Sequence, residues 1–322
     1  MLDVHLDEQD IARHLRADVA TGLTAPAKWL PPKWFYDARG SELFEEITRL
    51  PEYYPTRTER AILAGHAADV AALTDAKTLV ELGSGSSEKT RLLLDALLRH
   101  GTLGAFAPLD VSEAALREAV AGLTADYPDL AVRGVVGDMT RHLQHIPDGD
   151  NRVVAFLGGT IGNLVPAERA TFLRDLRAVL GEGEWLLLGT DLVKDPAIVV
   201  PAYDDAAGVT ADFNRNVLRV INSRLGADFD VDAYDHVALW DARNEWIEMR
   251  LRARTAQRVT IPELGLTVDY AEGEEMRTEI SAKFRREGLA AELAAAGFAL
   301  REWWTDPQGW FAVSLAQAVT AG

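Results

Sequence analysis

The sequence predicts an α/β protein: a doubly wound, mostly parallel sheet ended by an antiparallel hairpin, with a second α+β lobe built from inserted segments. Three observations point there. From about residue 60 to 195, apolar strand-like runs alternate with helical stretches, the pattern of a parallel sheet covered by helices on both faces. The run Leu79-Val80-Glu81-Leu82-Gly83-Ser84-Gly85 reads as a buried strand opening into a glycine turn. Near the carboxyl end, two strand-like runs flank Asp306-Pro307-Gln308-Gly309, residues that suit a turn between antiparallel neighbours.

In chain order, the expected strands are 78–82, 105–110, 131–136, 152–157 and 184–189, with helices over 87–99, 112–126 and 166–180. Right-handed crossovers set the strand C-termini along one edge, where ligands bind. A helix over 287–296 and strands over 298–304 and 310–316 return to this sheet. Two regions do not fit it. Residues 1–57 carry Pro31-Pro32-Lys33-Trp34-Phe35-Tyr36 and Pro51-Glu52-Tyr53-Tyr54-Pro55. Residues 196–282 begin with helical stretches at 197–206 and 209–224 and continue with strands. In 245–255, Ile247, Met249, Leu251 and Ala253 alternate with Glu248, Arg250, Arg252 and Arg254, a strand's period of two. The expected division is therefore 58–195 with 283–322 as a ligand-binding sheet domain, and 1–57 with 196–282 as a substrate-binding lobe.

Composition narrows the function. Of 322 residues, 48% are hydrophobic, enough for a sizeable core. Lys plus Arg number 33 against 50 Asp plus Glu, a formal charge of −17, which repels a phosphate backbone and disfavours a nucleic-acid partner. The absence of cysteine excludes disulfides, thiol nucleophiles and cysteine-bound zinc, and favours the cytoplasm. The first residues lack a basic-then-apolar leader, and no apolar run approaches the ~18 residues of a membrane span. His142 and His145 have no acidic companion of a metal motif, and neither His-Glu-x-x-His nor Gly-x-Ser-x-Gly occurs. No metal is expected, and the sequence leaves the oligomeric state open.

The glycine turn is the most informative site. Gly83 and Gly85, on either side of Ser84, let the backbone turn tightly and approach a ligand. Ser86 or Ser87 can cap the next helix. A dinucleotide fingerprint would place a third glycine where Glu88 stands, and that carboxylate would repel a pyrophosphate. Glu81 and Glu88 instead suit a ligand with positive charge and no phosphate, such as S-adenosylmethionine with its sulfonium and ammonium. Asp110 at the end of the second strand suits the ribose hydroxyls; its alternative is to cap the next helix, for which Ser112 is better placed. Asp138 can accept from an adenine amino group while Met139 packs on the ring, although Gly-Asp is also common turn chemistry. Lys89 can pair with the methionine carboxylate or lie solvated.

Other residues speak to the second substrate. In Phe156-Leu157-Gly158-Gly159-Thr160-Ile161-Gly162-Asn163, glycines such as Gly158 permit close approach and their carbonyls can accept from an ammonium. Asn163 is both donor and acceptor; its alternatives are a left-handed residue or a cap before Pro166. In 276–284, strand spacing puts Glu279 and Ser281 on one face and Ile280 and Ala282 on the other. Two polar groups so placed can bind a heteroaromatic N–H and its neighbour, or simply face solvent. Tyr203, on an expected helix, can donate to a carboxylate or pack in the core. Tyr53 can line a pocket or anchor its loop, and Met249 is core unless a cavity opens beside it. On the residues alone, a nicotinamide dehydrogenase and a non-catalytic S-adenosylmethionine-binding regulator remain open.

The chain resembles the histidine-specific Nα-methyltransferases of ergothioneine biosynthesis over nearly its whole length. The resemblance rests on Pro31-Pro32-Lys33-Trp34-Phe35-Tyr36-Asp37, Leu50-Pro51-Glu52-Tyr53-Tyr54-Pro55-Thr56-Arg57-Thr58-Glu59, Glu81-Leu82-Gly83-Ser84-Gly85, Thr160-Ile161-Gly162-Asn163 and Lys283-Phe284. It implies a class I methyltransferase sheet and S-adenosylmethionine as methyl donor, bound by Gly83, Ser84, Lys89, Asp110, Asp138 and Met139. It implies L-histidine as the small-molecule acceptor. Asn163 and Tyr203 would hold its carboxylate, Tyr53, Glu279 and Ser281 would surround its ring, and Met249 and Ile280 would be further substrate-binding residues. Three successive transfers would give hercynine. No dedicated base is implied; Asn163 and Gly158 are the residues expected nearest the reacting amine. Some relatives carry Ser where Gly159 stands and Cys where Ala282 stands, changes that touch fit more than identity.

Overall fold

The structure, a computed structural model, describes residues 1–85 and 89–320. Ser86, Ser87 and Glu88, read above as helix caps and a pyrophosphate-repelling carboxylate, lie outside the described residues. The chain divides into two compact units. One comprises 1–7, 55–193 and 284–322; the other comprises 8–54 and 194–283.

The first unit is built on a mixed sheet. Its order is Leu2–Val4, Gly134–Val136, Ala105–Asp110, Thr78–Leu82, Arg152–Phe156, Trp185–Asp191, Phe311–Ala318, Phe298–Thr305, with the short strand Ala131–Val132 beside Ala105–Asp110. Pairing is parallel as far as Trp185–Asp191 and antiparallel in the last two strands. The order reverses at Thr78–Leu82, which lies between Ala105–Asp110 and Arg152–Phe156. That reversal is where open α/β sheets bind ligands, at the carboxyl ends of the strands. Leu79, Phe106, Val153, Ala155, Leu187, Phe311 and Val313 are among the buried residues of the core; each fully buried large side chain contributes about 1.5–3 kcal/mol. Buried Arg152 and Glu184 clamp the amino ends of two neighbouring strands, with Nη2–Oε2 at 2.6 Å.

Helices form where apolar spacing and end chemistry agree. Ser112 caps Glu113–Asp126, its Oγ accepting from the Ala115 N–H at 3.3 Å. In Pro55–Thr74, Glu59, Ile62, Leu63, Ala67, Val70 and Ala71 are buried, a stripe at helical spacing with a carboxylate in it.

Several expectations are corrected. The first residues belong to the sheet: Leu2–Val4 pairs with Gly134–Val136, a partner too distant in sequence for local pattern to reveal. The run 131–136 is two short strands, Ala131–Val132 and Gly134–Val136; between them the Arg133 N–H donates to the Phe106 carbonyl at 3.0 Å, and the Gly134 N–H turns to the Met1 carbonyl at 2.9 Å. No helix spans 197–206. A short helix, Pro196–Val199, passes into a 3-10 turn, Val200–Ala202, because Pro201 has no N–H to continue the ladder. Tyr203 therefore follows a turn instead of riding on a helix.

The second unit carries helices Glu8–Leu23, Ala38–Thr48 and Val209–Leu225. It also has a three-stranded antiparallel sheet, ordered Glu275–Ala282, Trp246–Ala253, Tyr234–Asp241, and a two-stranded one of Gln257–Ile261 and Leu266–Tyr270. The alternation read in 245–255 breaks at Glu248, which is buried. Its carboxylate accepts from Trp246 Nε1 at 2.9 Å and Arg250 Nε at 2.8 Å, and these partners satisfy the charge that solvent would otherwise take.

Candidate functional site

In the first unit, the glycine turn follows Thr78–Leu82 with Gly83 at φ +67° and Gly85 at φ +50°, left-handed values that favour glycine. Gly83 N–H donates to the Leu109 carbonyl at 2.8 Å. Asp110 then spans the turn: Oδ2 accepts from Gly85 N–H and Oδ1 from Ser112 N–H, both at 3.0 Å. The carboxylate that suits a ribose is thus fixed by two backbone donors and retains lone pairs for further hydroxyls. Ser84 is buried, and among the described residues its Oγ has no hydrogen-bond partner. An orphaned hydroxyl beside two left-handed glycines fits a polar ligand seated against the turn. Glu81 is buried and accepts from the Thr90 hydroxyl, which anchors the start of the next helix.

Asp138 is buried, and its Oδ1 accepts from Thr140 N–H at 2.8 Å and Thr140 Oγ1 at 2.6 Å. Its own N–H donates to His142 Nδ1 at 2.9 Å. This is turn chemistry, and it also fixes the carboxylate's direction. Met139 beside it is half-buried.

At the end of Arg152–Phe156, Gly158 and Gly159 are left-handed, at φ +79° and +69°, and lead into the 3-10 turn Thr160–Asn163. Asn163 is neither left-handed nor the cap of Pro166–Val179: Val165 holds the cap position, and its N–H donates to Glu168 at 3.0 Å. Both bland alternatives for Asn163 are therefore removed. Sequence reading missed the residue that braces this loop. Glu59 is fully buried; its Oε1 accepts from Gly158 N–H at 2.7 Å, and its other oxygen pairs with Lys89. Lys89 is thus tied to a carboxylate of the protein. The signal was present: Glu59 sits in the apolar stripe of its helix, where a charge has no solvent. Gly189 makes room for it, because a Cβ there would lie 1.9 Å from Glu59 Oε1. Gly189→Ala is expected to push Glu59 off Gly158 and to cost about 1–3 kcal/mol, read by urea melts; an unchanged midpoint would remove Glu59 as the brace.

In the second unit, the strand Glu275–Ala282 has a bulge between Arg277 and Glu279. Beyond it, Glu279 pairs with Met249 and Ser281 with Ile247. Directly opposed residues share a face, so Glu279, Ser281 and Met249 come together. Ser281, Ile280 and Ala282 are all buried, which excludes a solvated strand face at this end. Tyr203 reaches the same place, with Oη 2.7 Å from Ser281 Oγ. Tyr53 packs edge-on to Tyr203, ring centroids 6.4 Å apart. Lys283 Nζ donates to both Tyr203 Oη and Ser281 Oγ.

The backbone of Tyr203 is held by a chain of buried polar groups that sequence reading did not find. Thr278 Oγ1 donates to Asn214 Oδ1 at 2.6 Å, Asn214 Nδ2 donates to His236 Nδ1 at 2.8 Å, and His236 Nε2 donates to the Tyr203 carbonyl at 2.8 Å. This network assigns the neutral tautomer with its proton on Nε2. Local pattern gives no access to it, because its members lie on four separate elements.

The comparisons with known proteins bear on this arrangement. Residues 15–318 match the family described as "Histidine-specific methyltransferase, SAM-dependent". The chain belongs to that family. Among its relatives is a histidine N-alpha-methyltransferase of Mycolicibacterium smegmatis, 58% identical over 97% of both chains. Another is that of Mycobacterium tuberculosis, 56% identical over 97% of both. An ergothioneine biosynthesis protein 1 of Neurospora crassa is 37% identical over 61% of this chain and 23% of its own length.

The methyltransferase is expected to lose stability on the acid side through His236. Burial pushes this imidazole's pKa down, opposed by its bond to the Tyr203 carbonyl and by Asp204, with Arg215 adding to the fall. The unfolded chain therefore binds this proton first, and stability falls as pH drops from about 6.5 toward the depressed folded value. Urea melts at stepped pH should show this slope flattened in His236→Gln; an identical slope in both proteins would rule the imidazole out. Among the described residues of the methyltransferase, no helix is long and apolar enough to cross a membrane, and no cluster of His, Cys, Asp or Glu could hold a metal ion.

Proposed function

We infer that this methyltransferase transfers methyl groups to the α-amino group of free L-histidine, three times in succession, giving Nα,Nα,Nα-trimethylhistidine (hercynine) in ergothioneine biosynthesis. The observation that carries the reading is the identity of 58% and 56%, over 97% of each chain, to two proteins named for that Nα position. The roles divide by unit. In the first, Gly83, Ser84, Lys89, Asp110, Asp138 and Met139 would hold S-adenosylmethionine, which supplies an electrophilic methyl on a sulfonium when bound. Gly158 and Asn163 would orient the acceptor amine. In the second, Tyr203 would donate to the α-carboxylate, and Tyr53, Met249, Glu279, Ile280 and Ser281 would enclose the imidazole. No metal enters this scheme, and neither nucleic acid nor membrane is a partner. A cytoplasmic setting suits a chain without cysteine.

Because the leaving group is already activated, the protein's task is alignment, which contributes up to roughly 7–11 kcal/mol in favourable cases. The amine must lose a proton before each transfer. Desolvation beside a cation lowers its pKa, so no strong base is assigned. The test is incubation with labelled S-adenosylmethionine and a panel of free amino acids, read by mass spectrometry. Label should accumulate on histidine alone and end in the trimethylated product. A different labelled amino acid, or histidine labelled on its ring, would overturn the reading.

A further inference from the structure

The second unit holds a buried cation that the roles above leave unused. Lys283, Ser281 and Tyr203 are all buried, and they form a closed triangle. Lys283 Nζ lies 2.8 Å from Ser281 Oγ and 2.9 Å from Tyr203 Oη, and the two oxygens are 2.7 Å apart. The ammonium also sits 4.7 Å from the centroid of the Tyr203 ring. Its backbone is fixed as well, with Lys283 N–H donating to the Glu245 carbonyl at 2.8 Å.

An ammonium has three donors and no acceptor, whereas a hydroxyl is both. The lone pairs that Tyr203 and Ser281 turn toward Nζ are therefore engaged, and neither hydroxyl can point its proton there. One proton closes the bond between the two oxygens. The other points away from Nζ and can be donated to a further acceptor. Charge-assisted bonds of this kind are shorter and stronger than neutral ones, and the buried positive charge favours an anion as the group that receives the proton.

We propose that Lys283 is a specificity-determining positioning residue: its ammonium orients the Tyr203 and Ser281 hydroxyls and makes the acceptor site select a substrate bearing a carboxylate. The proposal rests on the reading of Tyr203 and Ser281 as acceptor contacts. Lys283 need not touch the substrate; it acts through the two hydroxyls.

The test compares L-histidine with histamine, which has the same ring and amine but no carboxylate. Both are titrated calorimetrically into the full-length protein loaded with S-adenosylhomocysteine. Lys283→Met keeps the stem and removes the charge. Its histidine affinity should fall roughly 10- to 150-fold, the range for a hydrogen bond to a charged group. Its histamine affinity should change much less, so discrimination between the two narrows, while binding of S-adenosylmethionine holds. An unchanged histidine affinity overturns the proposal. So does an equal loss for both ligands, the signature of a merely structural lysine. Should Lys283→Met not fold, Lys283→Gln keeps a donor without the charge and must narrow the discrimination too; an unaltered ratio there overturns the proposal as well. Tyr203→Phe separates the two levels: if it leaves histidine binding intact, the underlying contact reading fails, and if it weakens histidine while Lys283→Met does not, only the role of the lysine fails.

Discussion

Asp110→Asn should weaken S-adenosylmethionine binding by roughly 100-fold or more, with a much smaller change in unfolding temperature. The reason is geometric. Asp110 accepts Gly85 N–H on one oxygen and Ser112 N–H on the other, each at 3.0 Å. An amide can accept on only one side, so one backbone donor would face an NH2 group. Losing that bond, releasing the glycine turn and removing the charge proposed to face the ribose hydroxyls would act together. Bonds to a charged group are each worth about 1.5–3 kcal/mol, and every 1.4 kcal/mol is about tenfold in affinity. Calorimetry with S-adenosylmethionine reads the effect directly. An unchanged dissociation constant would mean that Asp110 serves the turn alone.

The second large effect is expected at Glu279. Glu279→Ala should cut histidine affinity by roughly 10- to 150-fold while leaving S-adenosylmethionine binding as it was. Glu279 lies opposite Met249 and two residues from Ser281 on the strand end that carries Tyr203 and Lys283 as neighbours of Ser281. A carboxylate there can accept an imidazole N–H, with added charge assistance if the ring is protonated. Glu279→Gln keeps the length and one accepting oxygen, so its loss should be smaller. Equal weakening of both ligands in Glu279→Ala would show that the residue supports the fold instead of reading the ring.

Much of the architecture was legible because it is local. The strands Thr78–Leu82 and Ala105–Asp110 are continuous apolar runs with an acidic end or interruption, and the structure gives them the expected bounds. The closing hairpin was readable from Asp306: its carboxylate accepts from the N–H groups of Gln308, Trp310 and Phe311, so the turn chemistry lies within a few residues. The failures have the opposite character. Glu59 is defined by Gly158 and Lys89, His236 by Asn214 and Tyr203, and Lys283 by Tyr203. Each is a buried polar group whose partners are supplied by the fold. Local pattern can flag such a residue as out of place without saying what satisfies it. Tyr203 and Ser281 were each singled out, but their direct hydrogen bond links a turn after Pro201 to a strand nearly eighty residues later, and only folding joins them.

The chain's threading bears on how the protein is made. The sheet of the first unit is interrupted after residue 193 and resumes only at 284, and strand Trp185–Asp191 takes Phe311–Ala318 as its antiparallel neighbour. On the ribosome that edge stays open while residues 192 to 310 are synthesised, and it closes only when Phe311–Ala318 emerges. Domains generally fold as units as they leave the ribosome. The inserted residues 194–283, with 8–54 already out, can therefore complete the second unit first, leaving the first unit the later of the two to mature and the one more exposed to chaperones and premature termination.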